Sequence, residues 1–342
     1  MDVGDSLAKA LGEANGGPLV RELFGDTRSD RSPFTKAASA IVGTVATFGT
    51  PTAVVLVRAS SGIVVGFDLA GGGRIIVKVH RSHAAQRLPA VLRAQVVLRA
   101  AGLPVAEPLA DAPIPLGTGW AVVETWHDSG ASLDVRPPGR RRAVAVALRR
   151  IVEALDPRDF LDLRPGWAGP YPPPHSPIFD FAATGAGAEW IDEYNAAALA
   201  AKVGLAERSV GQLVVGHGDL RPENILVTRG SKPLVSAMYD LDSLVTDAEP
   251  WVVGGVARAF STNWSLADPM LPEIDEIRAF ISDYQAARGS PFTLDERELA
   301  HRGVQHALAY SARCEHALFP DESPAPWGSG WRDLLRLWVD QR

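Results

Sequence analysis

The sequence contains a single cysteine, Cys314, so no disulfide can form within the chain and a reducing compartment is expected. No run approaches the roughly 18 apolar residues that a membrane-spanning helix needs. The opening stretch, MDVGDSLAKALGEANGG, has early acidic residues and lacks the apolar core of a signal peptide. These absences predict a cytoplasmic protein with no membrane partner.

Basic residues are in deficit, and the formal net charge is −6. A general nucleic-acid binder needs a basic face, so this balance argues against a nucleic-acid partner and is compatible with a neutral or cationic small molecule. Lysine is rarer still, with five in the chain: Lys9, Lys36, Lys78, Lys202 and Lys232. Any lysine that lies in a motif is therefore informative.

The hydrophobic pattern changes part-way along the 342 residues. Residues 52–79 and 119–126 contain β-branched runs separated by the turn sequences SSG and GGG, which predicts an antiparallel sheet. One helix is predicted over residues 84–101, and a helix with a polar linker over about the first 40. Helical periodicity then dominates residues 141–155, 187–202, 272–287, 293–317 and 330–341. The pattern predicts an α+β protein of two lobes, residues 1–126 and 127–342.

Two features of the second half have ambiguous meaning. The segment 164–179 is rich in proline and aromatics, and so long a loop is often functional; Trp167 and Tyr171 are candidates for a pocket wall. Potential metal ligands also occur in one helical segment, namely His301, His306, Cys314 and His316. Their spacing does not place them on one helix face, so we interpret them as structural.

Three segments carry the residue types that phosphoryl transfer needs: RIIVKVH with Lys78, HGDLRPENIL with Asp219 and Asn224, and MYDLDSL with Asp240. A strand lysine places a positive charge on nucleotide phosphates, and carboxylate and amide oxygens suit a divalent metal. Asp219 can accept the proton of an acceptor hydroxyl. Arg221 is a candidate donor to the charge that develops on the transferred group.

These segments, with AGLPVAEPL at 101–109, resemble the aminoglycoside phosphotransferase and choline kinase family over roughly residues 50–260. The resemblance implies a protein-kinase-like fold with a small antiparallel N-lobe and a larger, mostly helical C-lobe. It implies that Asp219 is the catalytic base, that Asn224 and Asp240 hold Mg²⁺, and that Lys78 binds the phosphates of ATP or GTP between the lobes.

Further positions follow from the same resemblance. The turn at Ser60, Ser61 and Gly62 would cover the phosphates, and the segment from Glu124 to Trp126 would bind the nucleobase through its backbone. His217 would be a structural residue of the catalytic loop. Asp242 could be an acid linked to the metal. Two weaker candidates for the acceptor side rest on residue type alone: Trp264 could wall the pocket, and Asp268 could recognise an amine on the acceptor.

The sequence departs from the family pattern at one important position. Protein kinases carry a glutamate on the helix after the strand lysine, to pair with it, but residues 81–106 contain no acidic residue. Gln86 or Gln95 are possible substitutes, and a direct pair between Lys78 and Asp240 is another. A Gly-x-Gly-x-x-Gly loop is also absent.

The sequence therefore predicts an enzyme that phosphorylates a hydroxyl of a small molecule, as a monomer or homodimer. The resemblance makes an antibiotic the first expectation for the acceptor, with a role in resistance or self-protection. A metabolite such as an amino sugar or amino alcohol is the alternative. The departures leave open a catalytically silent relative that binds nucleotide without turnover. The absence of Asp-Phe-Gly and Ala-Pro-Glu segments argues against a protein kinase.

Overall fold

The computed structural model describes residues 2–14, 17–25, 32–59, 61–127, 129–165, 170–172, 179–263, 271–320 and 330–341. The chain divides into two compact units. The first is formed by Met1–Arg99 and Val105–His127, and the second by Ala100–Pro104 and Asp128–Arg342.

The first unit is built on a five-stranded antiparallel sheet with strand order β1-β2-β3-β5-β4. Its strands are β1 (Pro51–Ala59), β2 (Ile63–Leu69), β3 (Arg74–His80), β4 (Ile114–Leu116) and β5 (Gly119–Thr125). The antiparallel sheet predicted from the sequence is confirmed. The short strand β4 was not predicted, because three residues are too few to show a strand period.

The two faces of this sheet differ, because side chains alternate along each strand. One face carries Val65, Phe67 and Val77, which are fully buried. They share an apolar core with three helices, α1 (Val3–Glu13), α2 (Gly17–Phe24) and α3 (Pro33–Ala46). The opposite face carries Lys78 and Glu124.

Helix α3 corrects the prediction of a polar linker after one N-terminal helix. Ser32 caps it by accepting a hydrogen bond from the Phe34 amide, and Pro33 occupies its first turn. Ile41 and Val45 are spaced one helical turn apart and are fully buried. The linker prediction was wrong because the many alanines of this segment weaken its apparent amphipathicity.

Helix α4 (Leu88–Ala100) follows a 3₁₀ turn and has no acidic residue. Its Leu88 and Leu92 pack with Val122 of β5. The helix lies within the predicted range of residues 84–101 and ends before Gly102, whose φ of +72° suits glycine.

The second unit contains two pairs of antiparallel strands. Strand β6 (Leu213–His217) pairs with β9 (Leu244–Ala248), and β7 (Ile225–Val227) pairs with β8 (Val235–Met238). The turn sequence TRGSKP, residues 228–233, joins β7 to β8. Together the four strands bracket HGDLRPENIL (217–226), which we name the catalytic loop, and MYDLDSL (238–244), which we name the metal loop.

The α-helices described in the second unit are α5 (Pro138–Ala154), α6 (Glu189–Glu207), α7 (Glu249–Ala259), α8 (Ile274–Arg288), α9 (Leu294–Leu318) and α10 (Trp331–Asp340). All except α7 match a predicted helix to within a few residues. Helix α7 was missed because Gly254 and Gly255 interrupt its apolar pattern. Among the described residues, no helix is long and apolar enough to cross a membrane. The predicted α+β fold is confirmed.

The two glycines of α7 offer a matched pair of variants. A Cβ at Gly254 would lie 2.2 Å from the carbonyl oxygen of Ala300 in α9, whereas one at Gly255 would meet nothing within 4 Å. Gly254→Ala is expected to lower the free energy of unfolding by at least about 1–3 kcal/mol through overpacking. Gly255→Ala is expected to leave it unchanged or raise it by up to about 1 kcal/mol. Urea unfolding of both variants tests this, and equal effects would contradict it.

Candidate active site

The catalytic-loop motif of the second unit forms a tight turn after β6. The amide nitrogen Nδ2 of Asn224 donates to the backbone oxygen of Asp219 at 2.8 Å and lies 3.2 Å from its carboxylate oxygen Oδ2. The Asn224 backbone amide donates to the Arg221 carbonyl at 2.8 Å. Thus the five-residue spacing between Asp219 and Asn224 brings the two side chains into direct contact.

His217 is fully buried at the end of β6 and joins the two loop segments. Its Nδ1 accepts a hydrogen bond from the Asp219 amide at 3.1 Å, so its Nε2 carries the proton that it donates to the Tyr239 carbonyl at 2.9 Å. The geometry therefore fits a histidine that supports the loop.

Arg221 lies between two carboxylates of the same loop. Its Nε is 3.0 Å from Asp219 Oδ2, and its Nη1 is 3.0 Å from Glu223 Oε2. Both Asp219 and Arg221 keep about a quarter of their side-chain surface exposed, so ligands can reach them. Arg221 is therefore placed to orient the Asp219 carboxylate, and its contact with a transferred phosphate stays a prediction.

Asp240 has an unusual backbone conformation, with φ 59° and ψ 42°. Left-handed geometry is uncommon for a residue other than glycine, although aspartate and asparagine tolerate it best. The Asp240 carboxylate accepts a hydrogen bond from Ser243 Oγ at 2.6 Å. The neighbouring Tyr239 amide donates to the Asn224 carbonyl at 2.8 Å, which places Asp240 directly after the residue that faces Asn224.

The oxygen donors at Asn224 and Asp240 fit a hard divalent cation. The Asn224 amide nitrogen is bonded to Asp219, which leaves its side-chain oxygen as the available donor. Within the described ranges no three His, Cys, Asp or Glu side chains are grouped to hold a metal. Mg²⁺ is commonly bound by one or two carboxylates together with substrate phosphates, so this sparse donor set suits it.

In the first unit, Lys78 forms a buried ion pair. Its Nζ lies 2.7 Å from Glu124 Oε1, and the two side chains are 14% and 6% exposed. The second oxygen of Glu124 accepts a hydrogen bond from Gln95 of α4 at 3.0 Å. The carboxylate was predicted only as part of a backbone segment, and its pairing with Lys78 was not foreseen.

The backbone amides that follow Glu124 are already engaged. The Thr125 amide donates to the backbone carbonyl of Glu107 at 2.9 Å, and the Trp126 amide donates to the backbone carbonyl of Arg74 at 3.0 Å. The Trp126 ring packs above Gly66, where a Cβ would lie 2.5 Å from it. These two amides are therefore engaged within the first unit, and binding of the nucleobase by the backbone of residues 124–126 stays a prediction.

The turn between β1 and β2 is described at Ser61 and Gly62. The Ser61 carbonyl accepts a hydrogen bond from Arg81 at 3.3 Å. A Cβ at Gly62 would lie 2.7 Å from the Val79 carbonyl oxygen, so this position needs glycine for close packing. The structure leaves the predicted contact of this turn with phosphates as a prediction.

Of the remaining candidates, Asp242 and Tyr171 lie within the described residues and the other four do not. Asp242 lies in the 3₁₀ turn Leu241–Ser243 and is partly buried. Four predicted positions fall outside the described residues, namely Ser60, Trp167, Trp264 and Asp268. Tyr171 is nearly buried and donates to Asp192 at 2.8 Å, so its hydroxyl is already engaged.

Arg258 is a residue that the sequence did not single out. It lies in α7 with its guanidinium 5.4 Å from the Trp331 ring centroid, and its buried Nε has no hydrogen-bond partner among the described residues. Burial lowers the pKa of this group, while the Asp219 carboxylate acts in the opposite direction. Arg258 therefore adds positive potential on the Asp219 side of the second unit.

The histidines of α9 take part in packing. His306 hydrogen-bonds Asn195 at 2.7 Å, and its ring lies tilted against that of Trp251 with the centroids 5.1 Å apart. His316 hydrogen-bonds the Ala186 carbonyl at 2.9 Å. Burial lowers the pKa of His306 to about 4. These contacts support the structural interpretation of these side chains.

His306 should make the protein sensitive to mild acid. The unfolded chain takes up a proton on this side chain below about pH 6.5, but the folded protein does so only near pH 4, so stability falls as the pH drops through that window. Between pH 7 and pH 5, the unfolding free energy of His306→Gln is expected to fall by about 2 kcal/mol less than that of the wild type. Denaturant unfolding at both pH values measures the difference. Parallel losses in the two proteins would contradict the assignment.

A match to a known family identifies the class of protein to which the chain belongs. Residues 65–248, more than half of the chain, match the sequence profile of the phosphotransferase enzyme family known as APH. The chain belongs to this family. It is accordingly a small-molecule kinase, which transfers phosphate to the hydroxyl group of an acceptor. The matched range includes Lys78, Asp219, Asn224 and Asp240.

Solved structures with the same fold include kinases of several small molecules. The GDP and kanamycin complex of APH(2″)-IIIa aligns with a TM-score of 0.58 and 12% identity, over 89% of this chain and 98% of its own. An ethanolamine kinase from Plasmodium vivax aligns with a TM-score of 0.53 and 11% identity, over 99% of this chain and 95% of its own. The amicoumacin kinase hAmiN, in complex with AMP-PNP, Ca²⁺ and Ami, aligns with a TM-score of 0.53 and 12% identity, over 84% of this chain and 95% of its own. None of the curated proteins compared with the chain matches it significantly. At these identities the likeness shows the fold alone.

Proposed function

We propose that this protein uses ATP or GTP with Mg²⁺ to phosphorylate a hydroxyl group of a small-molecule antibiotic. The observation that supports it best is the joint geometry of the second unit. A partly exposed carboxylate, Asp219, is held by Asn224 and Arg221, and the left-handed Asp240 follows the residue that bonds Asn224. Backbone strain of this kind is kept at functional sites when the surroundings enforce it.

Each side chain then has a chemical task. Asp219 accepts the proton of the acceptor hydroxyl while the oxygen of that hydroxyl forms a bond to the terminal phosphorus of the nucleotide. The nucleoside diphosphate leaves with the electrons of the broken P–O bond. Arg221 orients the Asp219 carboxylate. Lys78 binds the nucleotide phosphates. Asn224 and Asp240 would hold the metal, which neutralises charge on the phosphate oxygens when it is bound.

The choice of acceptor rests on the kinds of relatives. One aligned structure is a complex with kanamycin, and another is an amicoumacin kinase in complex with Ami. Both favour an antibiotic hydroxyl as the acceptor of this protein. The ethanolamine kinase favours the alternative of a metabolite that carries an amine and a hydroxyl. The net charge of −6 is compatible with a cationic acceptor in both cases.

The test is a measurement of nucleoside-diphosphate release with ATP or GTP and Mg²⁺ against antibiotics, amino sugars and amino alcohols. Mass spectrometry should find one added phosphate on an antibiotic, and the product should disappear when either nucleotide or metal is omitted. Phosphate added only to a metabolite would favour the alternative. Nucleotide binding without any transfer across the panel would favour a silent relative.

A further inference from the structure

Lys78 and its carboxylate partner lie on neighbouring strands of one sheet. Strands β3 and β5 pair directly, with Lys78 opposite Val122 and Ile76 opposite Glu124. Residues opposite each other in an antiparallel pair project to the same face, and so do alternate residues on one strand. Lys78 and Glu124 are therefore diagonal neighbours, and their 2.7 Å ion pair follows from the register of the sheet.

Gln95 supplies the helix contribution to this pair. Its side-chain nitrogen Nε2 donates to Glu124 Oε2 at 3.0 Å and to the Ala106 carbonyl at 2.9 Å, and the residue is only 2% exposed. Both partners are acceptors, so this position requires an N–H donor. A glutamate at position 95 would place its carboxylate against another carboxylate and a carbonyl, which is costly in a buried site.

The helix itself cannot provide the acid. Residues 81–106, which include all of α4, contain no aspartate or glutamate. Protein kinases control the equivalent lysine by moving the helix that bears its glutamate partner. In this chain both charged partners belong to the sheet, and the hydrogen-bonded register of β3 and β5 sets the distance between them.

We propose that Glu124 is the positioning residue of Lys78, that Gln95 of α4 supports its carboxylate, and that the register of β3 and β5 is by itself enough to keep the pair formed. The proposal rests on the proposed function in one respect, since it takes Lys78 to contact nucleotide phosphates. Its consequence is an enzyme whose lysine is oriented before nucleotide binds, without a helix movement that could switch it.

Turnover of the full chain tests the role of Glu124. Glu124→Gln keeps the shape but removes the charge, and it is expected to lower kcat about 10- to 100-fold because misplacement of a catalytic group costs about that much. The KM for nucleotide should stay unchanged or fall, since a negative charge near the phosphates is lost. In a Lys78→Met background the same change should have almost no further effect. Independent, multiplying losses in that background would overturn the proposal.

Substitutions of two glutamines distinguish whether the strand register or helix α4 holds the ion pair of Lys78 and Glu124. Gln95→Met removes both hydrogen bonds and is expected to lower kcat less than Glu124→Gln, because the sheet still holds the pair. Gln86→Met is the matched control, with the same substitution in the segment before α4, and should match the wild type. A Gln95→Met loss as large as that of Glu124→Gln would show that the helix governs the pair. Thermal unfolding of each variant identifies losses due to instability alone.

Lysine NMR gives a readout that needs no acceptor. With five lysines in the chain, ¹³C-labelled lysine yields few signals, and Lys78→Met assigns the one of interest. Its signal should shift in Glu124→Gln and should respond to added ADP with Mg²⁺ in the wild type. Response to nucleotide without transfer to any acceptor would reject the proposed function and keep this inference. Transfer in the wild type with an unresponsive Lys78 signal and a neutral Glu124→Gln would reject the inference alone.

Discussion

Asp219→Asn is expected to lower kcat by about 10²- to 10⁴-fold, the usual contribution of a general base. Asparagine keeps the size of the side chain and can still accept the hydrogen bond from Asn224 Nδ2, so the loop should keep its shape. It cannot take the proton of the acceptor hydroxyl. Nucleotide affinity should stay within a few-fold of the wild type, because the phosphates are assigned to other groups. Product formation by mass spectrometry and nucleotide titration measure the two quantities.

Glu223→Gln is the matched control for that substitution. Glu223 lies on the same loop and shares Arg221 with Asp219, at the same 3.0 Å distance. Removing its charge therefore disturbs Arg221 without removing the proposed base. The control should keep most of the wild-type kcat. If Asp219→Asn and Glu223→Gln lose activity equally, the loss comes from the arginine, and Asp219 is not the base.

The catalytic and metal loops could be predicted because their contacts are local in sequence. Asp219 and Asn224 are five residues apart, and the hairpin of β7 and β8 returns the chain to Asp240 within a short distance. Spacing and turn chemistry are enough to anticipate such contacts. The left-handed backbone of Asp240 could not be anticipated, since aspartate adopts this conformation only where the surrounding structure enforces it.

The ion pair of Lys78 could not be read from the sequence for a different reason. Glu124 lies 46 positions after Lys78, and the contact depends on which residues β3 and β5 place opposite each other. A shift of one residue in that register would turn Glu124 to the other face. The sequence showed only that the helix lacked an acid, and it left Gln86, Gln95 and Asp240 as alternatives. The structure places Gln95 against Glu124, the carboxylate that pairs with Lys78.

Asp240→Asn is expected to lower kcat by on the order of 10³-fold at ordinary Mg²⁺ concentrations, because the metal supplies several kcal/mol of charge stabilisation. Asparagine is the informative replacement. It tolerates the left-handed backbone at this position and can still accept the hydrogen bond from Ser243, so the turn should fold normally. Only the negative charge that attracts the cation is removed. Alanine would add backbone strain and confuse the result.

Titration with Mg²⁺ distinguishes a metal ligand from a structural acid. The Asp240→Asn variant should need much more Mg²⁺ for half-maximal activity and should recover part of its rate at high concentration. Ser243→Ala, which removes the hydroxyl bonded to the Asp240 carboxylate, should leave the Mg²⁺ requirement nearly unchanged. Asp242→Asn tests the neighbouring acid, and a similar Mg²⁺ shift there would make it a second contributor to the metal site. An unchanged Mg²⁺ requirement in Asp240→Asn, with folding intact, would show that Asp240 does not hold the metal.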